Sequence, residues 1–438
     1  MLFKITGEKQ TIWYYDNAVN QIYDSQKNPI ILSELDSAQP YIVARKDHQE
    51  RYWVINRFDP DKKYEFKYNL AKNVKIQLGL NCNYHCIYCS QSPLTKTLAQ
   101  KHIELDKLYD MIRKSPINWD NVNMVEYWGG EPLVYWKYIV PLTEFLVNEM
   151  HYKGMFHITT NASLFTQQVY DFCVKYKFDI LFSHDGVNHK QFRNADDWLD
   201  HDDIVERVRK YHQLFPQYTR IGLVYAPFGD LDIFKSLELF YNKLGADFDV
   251  MFHSGIRLES SSKHLLAYYT PENVEKAVDY MFKANTLPPN HKYYGMLSGN
   301  REHMQRDMSV FILQRLVASY NSKCPTINKH VFAFNLNGEC ITCHQNTVGW
   351  HSHGTIDQLN DPTKCYMTNM RSIHHQVECD QCPYLQVCGS KCPLYDFNDQ
   401  IIECRSTQWR VKAHFQVVWY YLFNERPIKF ERCDQLEK

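Results

Sequence analysis

The sequence predicts an α/β fold: a partial (β/α)6 TIM-like barrel with a small strand-rich N-terminal module and a cysteine-rich C-terminal domain. Three observations carry this expectation. Six short apolar runs alternate with segments of helical period from about residue 74 to residue 255. Ahead of them, polar and apolar residues alternate in strand-like runs. Behind them, ten of the fourteen cysteines lie between Cys324 and Cys433.

Residues 1–70 supply TIWYYDN, NQIYD, YIVARK and RYWVINRF as strands, DNAVN and SQKNP as turns, and a helix around Leu32–Ser37. Residues 71–315 carry the barrel. Its strands are KIQLGL, MVEYWG, FHITTN, DILFSHDG, RIGLVYA and DFDVMFHSG, and segments such as DKLYDMIRKS, WKYIVPLTEFLVNEM, TQQVYDFCVKY and DIFKSLELFYNKL are its helices. Strands alternating with helices imply parallel βαβ units, whose chemistry gathers at the C-terminal strand ends. Residues 270–320 read mainly as helix. Residues 316–438 form the third unit, with an aromatic-rich helix from Ser406 to Asn424.

A chain of 438 residues can bury one large core with a smaller module beside it. Lys and Arg number 49 against 50 Asp and Glu, a net charge of −1, so nothing points to nucleic acid or an anionic membrane as partner. No apolar run is long enough to span a bilayer, and MLFKITGEKQ lacks a signal-peptide core. The expectation is a soluble, cytoplasmic protein. There, cysteines clustered at short spacings read as ligands of a metal or cluster rather than as disulfides.

LNCNYHCIYCSQ sets Cys82, Cys86 and Cys89 directly after the first barrel strand in a C-x3-C-x2-C spacing. Three thiolates leave one metal position open, whereas a closed structural site takes four ligands. Zinc with His85 as fourth ligand is the rival, but His85 adjoins Cys86, and neighbours rarely face one tetrahedral ion. With Tyr88 before the third cysteine, this segment resembles the radical S-adenosylmethionine (SAM) superfamily. The resemblance implies a [4Fe–4S] cluster whose unique iron chelates SAM, with the neighbourhood of Tyr88 against adenine. Further motifs follow in family order. Gly129, Gly130 and Glu131 of YWGGEP match the segment that binds the methionyl amine. Asn161 of ITTNA matches a TNG segment, with Ala162 in place of the glycine. Ser183 and Asp185 of SHDG match positions near the ribose, and Arg193 of HKQFR an arginine that pairs with the methionyl carboxylate. Each has a plainer reading: the glycines as a turn, Ser183 and Asp185 as a helix cap.

The second cysteine set runs Cys324, thirteen residues, Gly338, four residues, Cys343; then Cys379-x2-Cys382-x5-Cys388-x3-Cys392, and Cys404 after eleven more. It resembles the seven-cysteine SPASM extension, which makes the C-terminal unit an auxiliary-cluster domain. The resemblance implies two auxiliary Fe–S clusters, an outer one on Cys379, Cys382, Cys388 and Cys404 and an inner one on Cys324, Cys343 and Cys392. Ala318 stands where some members have a further inner cysteine, so the inner cluster has an open iron or takes Cys340. The rival is a pair of zinc ribbons. Cys173, Cys365 and Cys433 have no partner by spacing and read as plain thiols.

The family resemblance implies reductive cleavage of SAM to methionine and a 5′-deoxyadenosyl radical, which abstracts hydrogen from a substrate. It also implies a flavodoxin- or ferredoxin-type electron donor and, by analogy with most SPASM proteins, a peptide substrate. Maturation of a ribosomally made precursor peptide by cross-linking competes with formylglycine formation in a sulfatase and with small-molecule dehydrogenation; the non-enzymatic alternative is a zinc-stabilised interaction protein. His344 follows Cys343 where sulfatase-maturing enzymes carry an aspartate base, and the N-terminal module is extra to that type, which favours the precursor peptide. Residues 1–70 are expected to grip a leader peptide by strand addition. His253, His344 and His353 are candidate proton-transfer groups, because imidazole titrates near neutral pH.

Overall fold

Three short antiparallel strands open the chain: β1 Leu2–Gly7, β2 Ile12–Asp16 and β3 Gln21–Tyr23. Alternation places Phe3, Ile5, Trp13, Tyr15 and Ile22 on one buried face. The computed structural model describes residues 1–38, 71–89, 91, 103–253, 258, 262–312, 331–341, 352–358, 379, 381–388 and 397–433. The expected strands YIVARK and RYWVINRF lie outside the described residues. The helix expected around Leu32–Ser37 is two 3-10 turns, Leu32–Glu34 and Asp36–Ala38. With three residues apiece, neither continues into an α-helical turn.

The six apolar runs form six parallel strands: β4 Asn73–Gly79, β5 Met124–Gly129, β6 Met155–Thr160, β7 Asp179–His184, β8 Thr219–Val224 and β9 Asp249–His253. The intervening helices are α1 Leu105–Lys114, α2 Trp136–Asn148, α3 Gln167–Tyr176, α4 His189–Arg193, α5 Asp202–Leu214 and α6 Ile233–Leu244. This is the partial-barrel α/β architecture the sequence predicts. Val74, Val125, Phe156, Ile180, Ile221 and Val250 are buried in one apolar core with residues of these helices. The alternate residues differ sharply: Lys75, Glu126, His157 and Asp179 stand opposite one another in a polar row. Lys75 pairs with Glu126 at 2.5 Å, and His157 and Arg220 converge on Asp179.

Beyond the barrel come α7 Pro271–Asn285, α8 Ser298–Ile312, the strands β10 Val331–Asn335, β11 Glu339–Ile341 and β12 Ser352–Thr355, a turn of helix α9 Leu385–Cys388, the long α10 Phe397–Phe423, and β13 Pro427–Cys433. β10 runs parallel to β4, and β11 and β12 follow antiparallel, giving nine strands in the order β12-β11-β10-β4-β5-β6-β7-β8-β9. Gly338, at φ 72°, makes the tight turn between β10 and β11. β13 lies antiparallel to β1, so the N-terminal sheet is β13-β1-β2-β3, a partnership the local sequence does not advertise. Its buried face packs on α8 and α10, with Trp13 edge-on to Trp419 at 5.6 Å and Tyr15 against Phe311 and Phe415. Among the described residues no helix is long and apolar enough to cross a membrane.

The outer edge of β9 is met by a side chain. The Asn300 carboxamide accepts from Phe252 N at 2.9 Å and donates to Val250 O at 2.5 Å, the pair of bonds a further strand would make. Asn300 is buried, so Asn300→Ala is expected to orphan two backbone groups and cost about 2–4 kcal/mol. Chemical denaturation of the variant against the parent measures this.

Candidate active site and cluster-binding loops

β4 ends at Gly79, and the chain turns into the loop that carries Cys82, Cys86 and Cys89. Three devices shape that loop. Tyr135 Oη accepts from Asn81 N at 2.7 Å. The amides of His85 and Ile87 donate to the carbonyls of Arg193 and Phe192 at 3.3 and 2.9 Å. Tyr84 N donates to the Cys82 sulfur at 3.4 Å, and Cys89 N to the Cys86 carbonyl at 3.1 Å. Burial pushes the Cys82 thiol up to about 11 and the Cys86 thiol up to about 12, and each is raised further by its neighbours in the trio. Thiols so placed stay protonated until a strong Lewis acid replaces the proton.

Among the described residues, the group of three metal-ligating side chains whose ligand atoms all lie within 4.8 Å of one another is His184, His189 and Asp197. The charges of Cys89 and Cys82 both act on Cys86, so the three thiols are neighbours. A donor set of three thiolates leaves one metal position open, which suits an iron–sulfur cluster that takes a ligand better than a closed zinc site.

The two glycines after β5 serve the cysteine loop. A Cβ on Gly129 would lie 2.6 Å from the Gly79 carbonyl, and one on Gly130 2.4 and 2.5 Å from the carbonyls of Leu80 and Asn81. In return Gly130 N donates to Gly79 O and Glu131 N to Asn81 O, each at 3.0 Å. Glu131 is buried. Its Oε1 accepts from Thr160 Oγ1 at 2.6 Å and Leu133 N at 3.0 Å, and its Oε2 from Asn161 N at 2.8 Å. Burial raises its pKa against the pull of these bonds. Asn161 reaches back to the loop, donating to Asn83 Oδ1 at 2.9 Å, and accepts from Ser163. Ala162, where the family pattern has glycine, sits at φ 64°, a left-handed conformation that glycine would adopt without strain.

Tyr88, Ser183, Asp185 and Arg193 come together in one network. Arg193 Nε and Nη2 grip both oxygens of Asp185 at 3.0 Å, and Nη2 also donates to Ser183 Oγ at 2.7 Å. Tyr88 Oη donates to Asp185 Oδ1 at 2.7 Å. Arg193 and Asp185 are 3% and 1% exposed, so each charge depends on the other. Asp185 precedes the 3-10 turn Gly186–Asn188 but makes no side-chain cap bond, so the helix-cap reading is set aside.

Beneath this network lies a trio that sequence reading missed. His184 Nε2 lies 2.8 Å from Asp197 Oδ1, and its Nδ1 accepts from Gly186 N at 2.9 Å. The ring proton is thereby fixed on Nε2, between imidazole and carboxylate, where a metal would have to sit. Ligation there would turn an Nδ1–H against the Gly186 N–H, so the trio is a buttress and not a metal site. His189, with its ring centroid 4.0 Å from that of His184, has no partner for either nitrogen among the described residues; burial pushes it down to about 2 and keeps it neutral. Burial would raise the Asp197 carboxyl, but His184 and the Leu199 amide hold it down to about 2.

Of the second cysteine set, Cys379, Cys382, Cys388 and Cys404 are described, and Cys324, Cys343 and Cys392 lie outside the described residues, as does His344. Burial, joined by the charges of Cys388, Cys404 and Cys379, pushes the Cys382 thiol up to about 12. Cys340 lies on β11, buried in the barrel core. His353 falls on β12, its side chain outside the described residues. His253 ends β9, exposed at the strand end, and its ring leans over Gly222, where a Cβ would meet Cδ2 at 3.1 Å.

Residues 76–240 match the family model described as the Radical SAM superfamily. A curated relative, the radical SAM cyclopropyl synthase TigE of Paramaledivibacter caminithermalis, is 26% identical over 194 residues, which is 40% of this chain and 38% of that protein. The match thus spans well under half of the relative's length. Among solved structures, native anSMEcpe with bound AdoMet superposes with a TM-score of 0.52 at 17% identity, over 80% of this chain and 98% of that one. The same protein with AdoMet and the Cp18Cys peptide gives 0.52 at 16% identity over the same shares. At these identities the likeness is one of fold.

Two outcomes are expected. Asp185→Asn leaves the Arg193 charge buried without its counter-ion and costs about 3–5 kcal/mol in denaturant unfolding. Asp197, with a folded pKa below its unfolded value, contributes stability that is present above about pH 4 and lost as pH falls toward 2. The stability gap between the parent and Asp197→Asn therefore narrows over that interval in melts recorded across pH.

Proposed function

We propose, from the premise that residues 76–240 are a radical SAM domain, that this protein oxidatively modifies side chains of a ribosomally made precursor peptide, with cross-linking as the outcome. The observation that carries the reading is the three-cysteine loop, hydrogen-bonded to the carbonyls of Phe192 and Arg193 and so fixed beside the Tyr88–Asp185–Arg193 network. A [4Fe–4S] cluster on Cys82, Cys86 and Cys89 would supply one electron to bound SAM, whose C–S bond breaks to give methionine and the 5′-deoxyadenosyl radical.

The chain's own residues do the positioning. Glu131 has spent three of about four acceptor positions on the protein, and the remaining one, on Oε2, suits the methionyl ammonium. Asp185 and Ser183 hold the Arg193 guanidinium in one orientation, ready for a carboxylate. Tyr88 is fixed by Asp185 where an adenine would lie. Cys379, Cys382, Cys388 and Cys404 would hold an outer auxiliary cluster, which would take up the electron left when an oxidised product forms; the influence of the other three on Cys382 supports this. The inner set, on Cys324, Cys343 and Cys392 with Cys340 as possible fourth ligand, belongs to the same reading. His253, exposed at the end of β9, is the described candidate for proton transfer; His344 is the other.

Among the described residues the N-terminal sheet offers β13 as an edge for a leader peptide, since Pro29 and Ile30 already bridge β3. Removing residues 1–70 would not test this cleanly. The deletion strips β13 of its partner and exposes Phe311, Phe415 and Trp419.

The deciding experiment is anaerobic turnover of the reconstituted protein with SAM, a reductant and candidate precursor peptides. Formation of 5′-deoxyadenosine, with loss of two hydrogens from a peptide by mass spectrometry, is expected. Cys86→Ala is expected to abolish both. Reconstituted protein that never releases 5′-deoxyadenosine overturns the reading.

A further inference from the structure

The turn between β2 and β3 ends against the outer cysteine set. Asn17 Nδ2 donates to the Cys382 carbonyl at 2.9 Å, and the Asn17 carbonyl accepts from Gln386 Nε2 at 2.8 Å. Both side chains are buried, at 1% and 0% exposure. Asn17 is itself anchored, its amide donating to Met1 O at 3.1 Å. Next to it Tyr15, fully buried, donates to Asn20 Oδ1 at 2.9 Å. From the opposite edge of the same sheet, Arg432 on β13 donates to Gln381 Oε1. Cys382 and Cys388 pack against the cluster of side chains that includes Trp13, Tyr15, Tyr384 and Val387. The loop that would hold the outer cluster is therefore built on the N-terminal sheet, and two residues of it, Cys382 and Gln386, bond to one asparagine.

We propose that Asn17 is a positioning residue for the outer auxiliary cluster: its side-chain amide fixes the backbone at Cys382, and with it the orientation of that ligand and the exclusion of water from the cluster. This rests on the reading of Cys379, Cys382, Cys388 and Cys404 as cluster ligands. Groups that orient a ligand tune a metal centre nearly as much as the ligands themselves, and the potential of an iron–sulfur centre follows local charge, hydrogen bonding and exposure. The Cys382 carbonyl also accepts from Leu385 N at 3.3 Å; losing the shorter Asn17 bond leaves it on that longer one alone, and the backbone and sulfur of the same residue are then free to shift. The strand-rich module is thereby a wall of the electron-transfer site as well as a peptide-binding candidate.

The test uses the full chain carrying Cys82→Ala, Cys86→Ala and Cys89→Ala, so that iron reports the second cysteine set. On that parent, Asn17→Ala removes the donor, and Asn17→Asp sets a carboxylate against the Cys382 carbonyl. After anaerobic reconstitution, iron content, the electron paramagnetic resonance spectrum and the reductive titration are compared. The expected result is iron loss or an altered spectrum in Asn17→Ala, and in Asn17→Asp a midpoint potential shifted to more negative values by the added charge. Asn17→Gln, which keeps the amide, should stay closer to the parent than either. Should Asn17→Ala fail to fold by circular dichroism, Gln386→Ala, which releases the same turn from the loop side, takes its place. Iron content, spectrum and potential all equal to the parent's in folded variants overturn the proposal. A parent that binds no iron overturns the auxiliary-cluster reading instead.

Discussion

A guanidinium and a carboxylate buried together can neither separate nor move far, because each would face the interior uncompensated. The Arg193–Asp185 pair imposes that constraint at the ends of the strands. Asp185 follows β7, Arg193 ends α4, and their bond fixes the segment between them, residues 186–192, as a folded-back stretch. That segment turns the carbonyls of Phe192 and Arg193 toward the cysteine loop, where they receive the amides of Ile87 and His85. Tyr88 closes the circuit by donating to the same carboxylate. The geometry of the thiols thus depends on an ion pair that does not touch them. His184 and Asp197 stiffen the base of the segment from below.

Across the strand ends, Glu131 plays the complementary part. One carboxylate ties the residues after β5 to the end of β6 through Thr160 and Asn161, and Asn161 passes the connection to Asn83 within the cysteine loop. The paired glycines allow this, since any side chain at either would strike loop carbonyls. Three successive strand ends are joined by bonds among side chains and backbone amides over a site where parallel strands leave backbone groups without sheet partners. A ligand entering there meets a preformed polar surface, which lowers the cost of ordering it.

Much of this was legible in the sequence because it is local. Periodicity located all six barrel strands, and strand-end placement set the cysteine loop, Glu131, Asn161, Ser183 and Asp185 on one rim. What the sequence concealed is non-local. β13 has no pattern that names β1 as its partner across the length of the chain. Asn300 reads as an ordinary helix residue until the β9 edge is seen beside it. The His184–Asp197 bond spans a spacing that belongs to no motif. The role of the glycine pair was half visible: the resemblance sets them in a ligand-binding segment, whereas what approaches them here is the chain itself.

The closure of β1 by β13 bears on how the parts depend on one another. A two-edged sheet of three short strands buries little apolar surface and is marginal by itself. Here it gains a fourth strand from the far end of the chain and a helix face lined by Phe415 and Trp419. The outer cysteine loop in turn rests on that sheet through Asn17 and Arg432. The sheet therefore forms only when β13 is available, and the loop acquires its support only when the sheet has formed. Contacts so distant in sequence carry a large loop-closure cost and form late. The support of the outer cysteine loop is then among the last structures to consolidate, on a barrel whose neighbouring strands pair over short sequence separations.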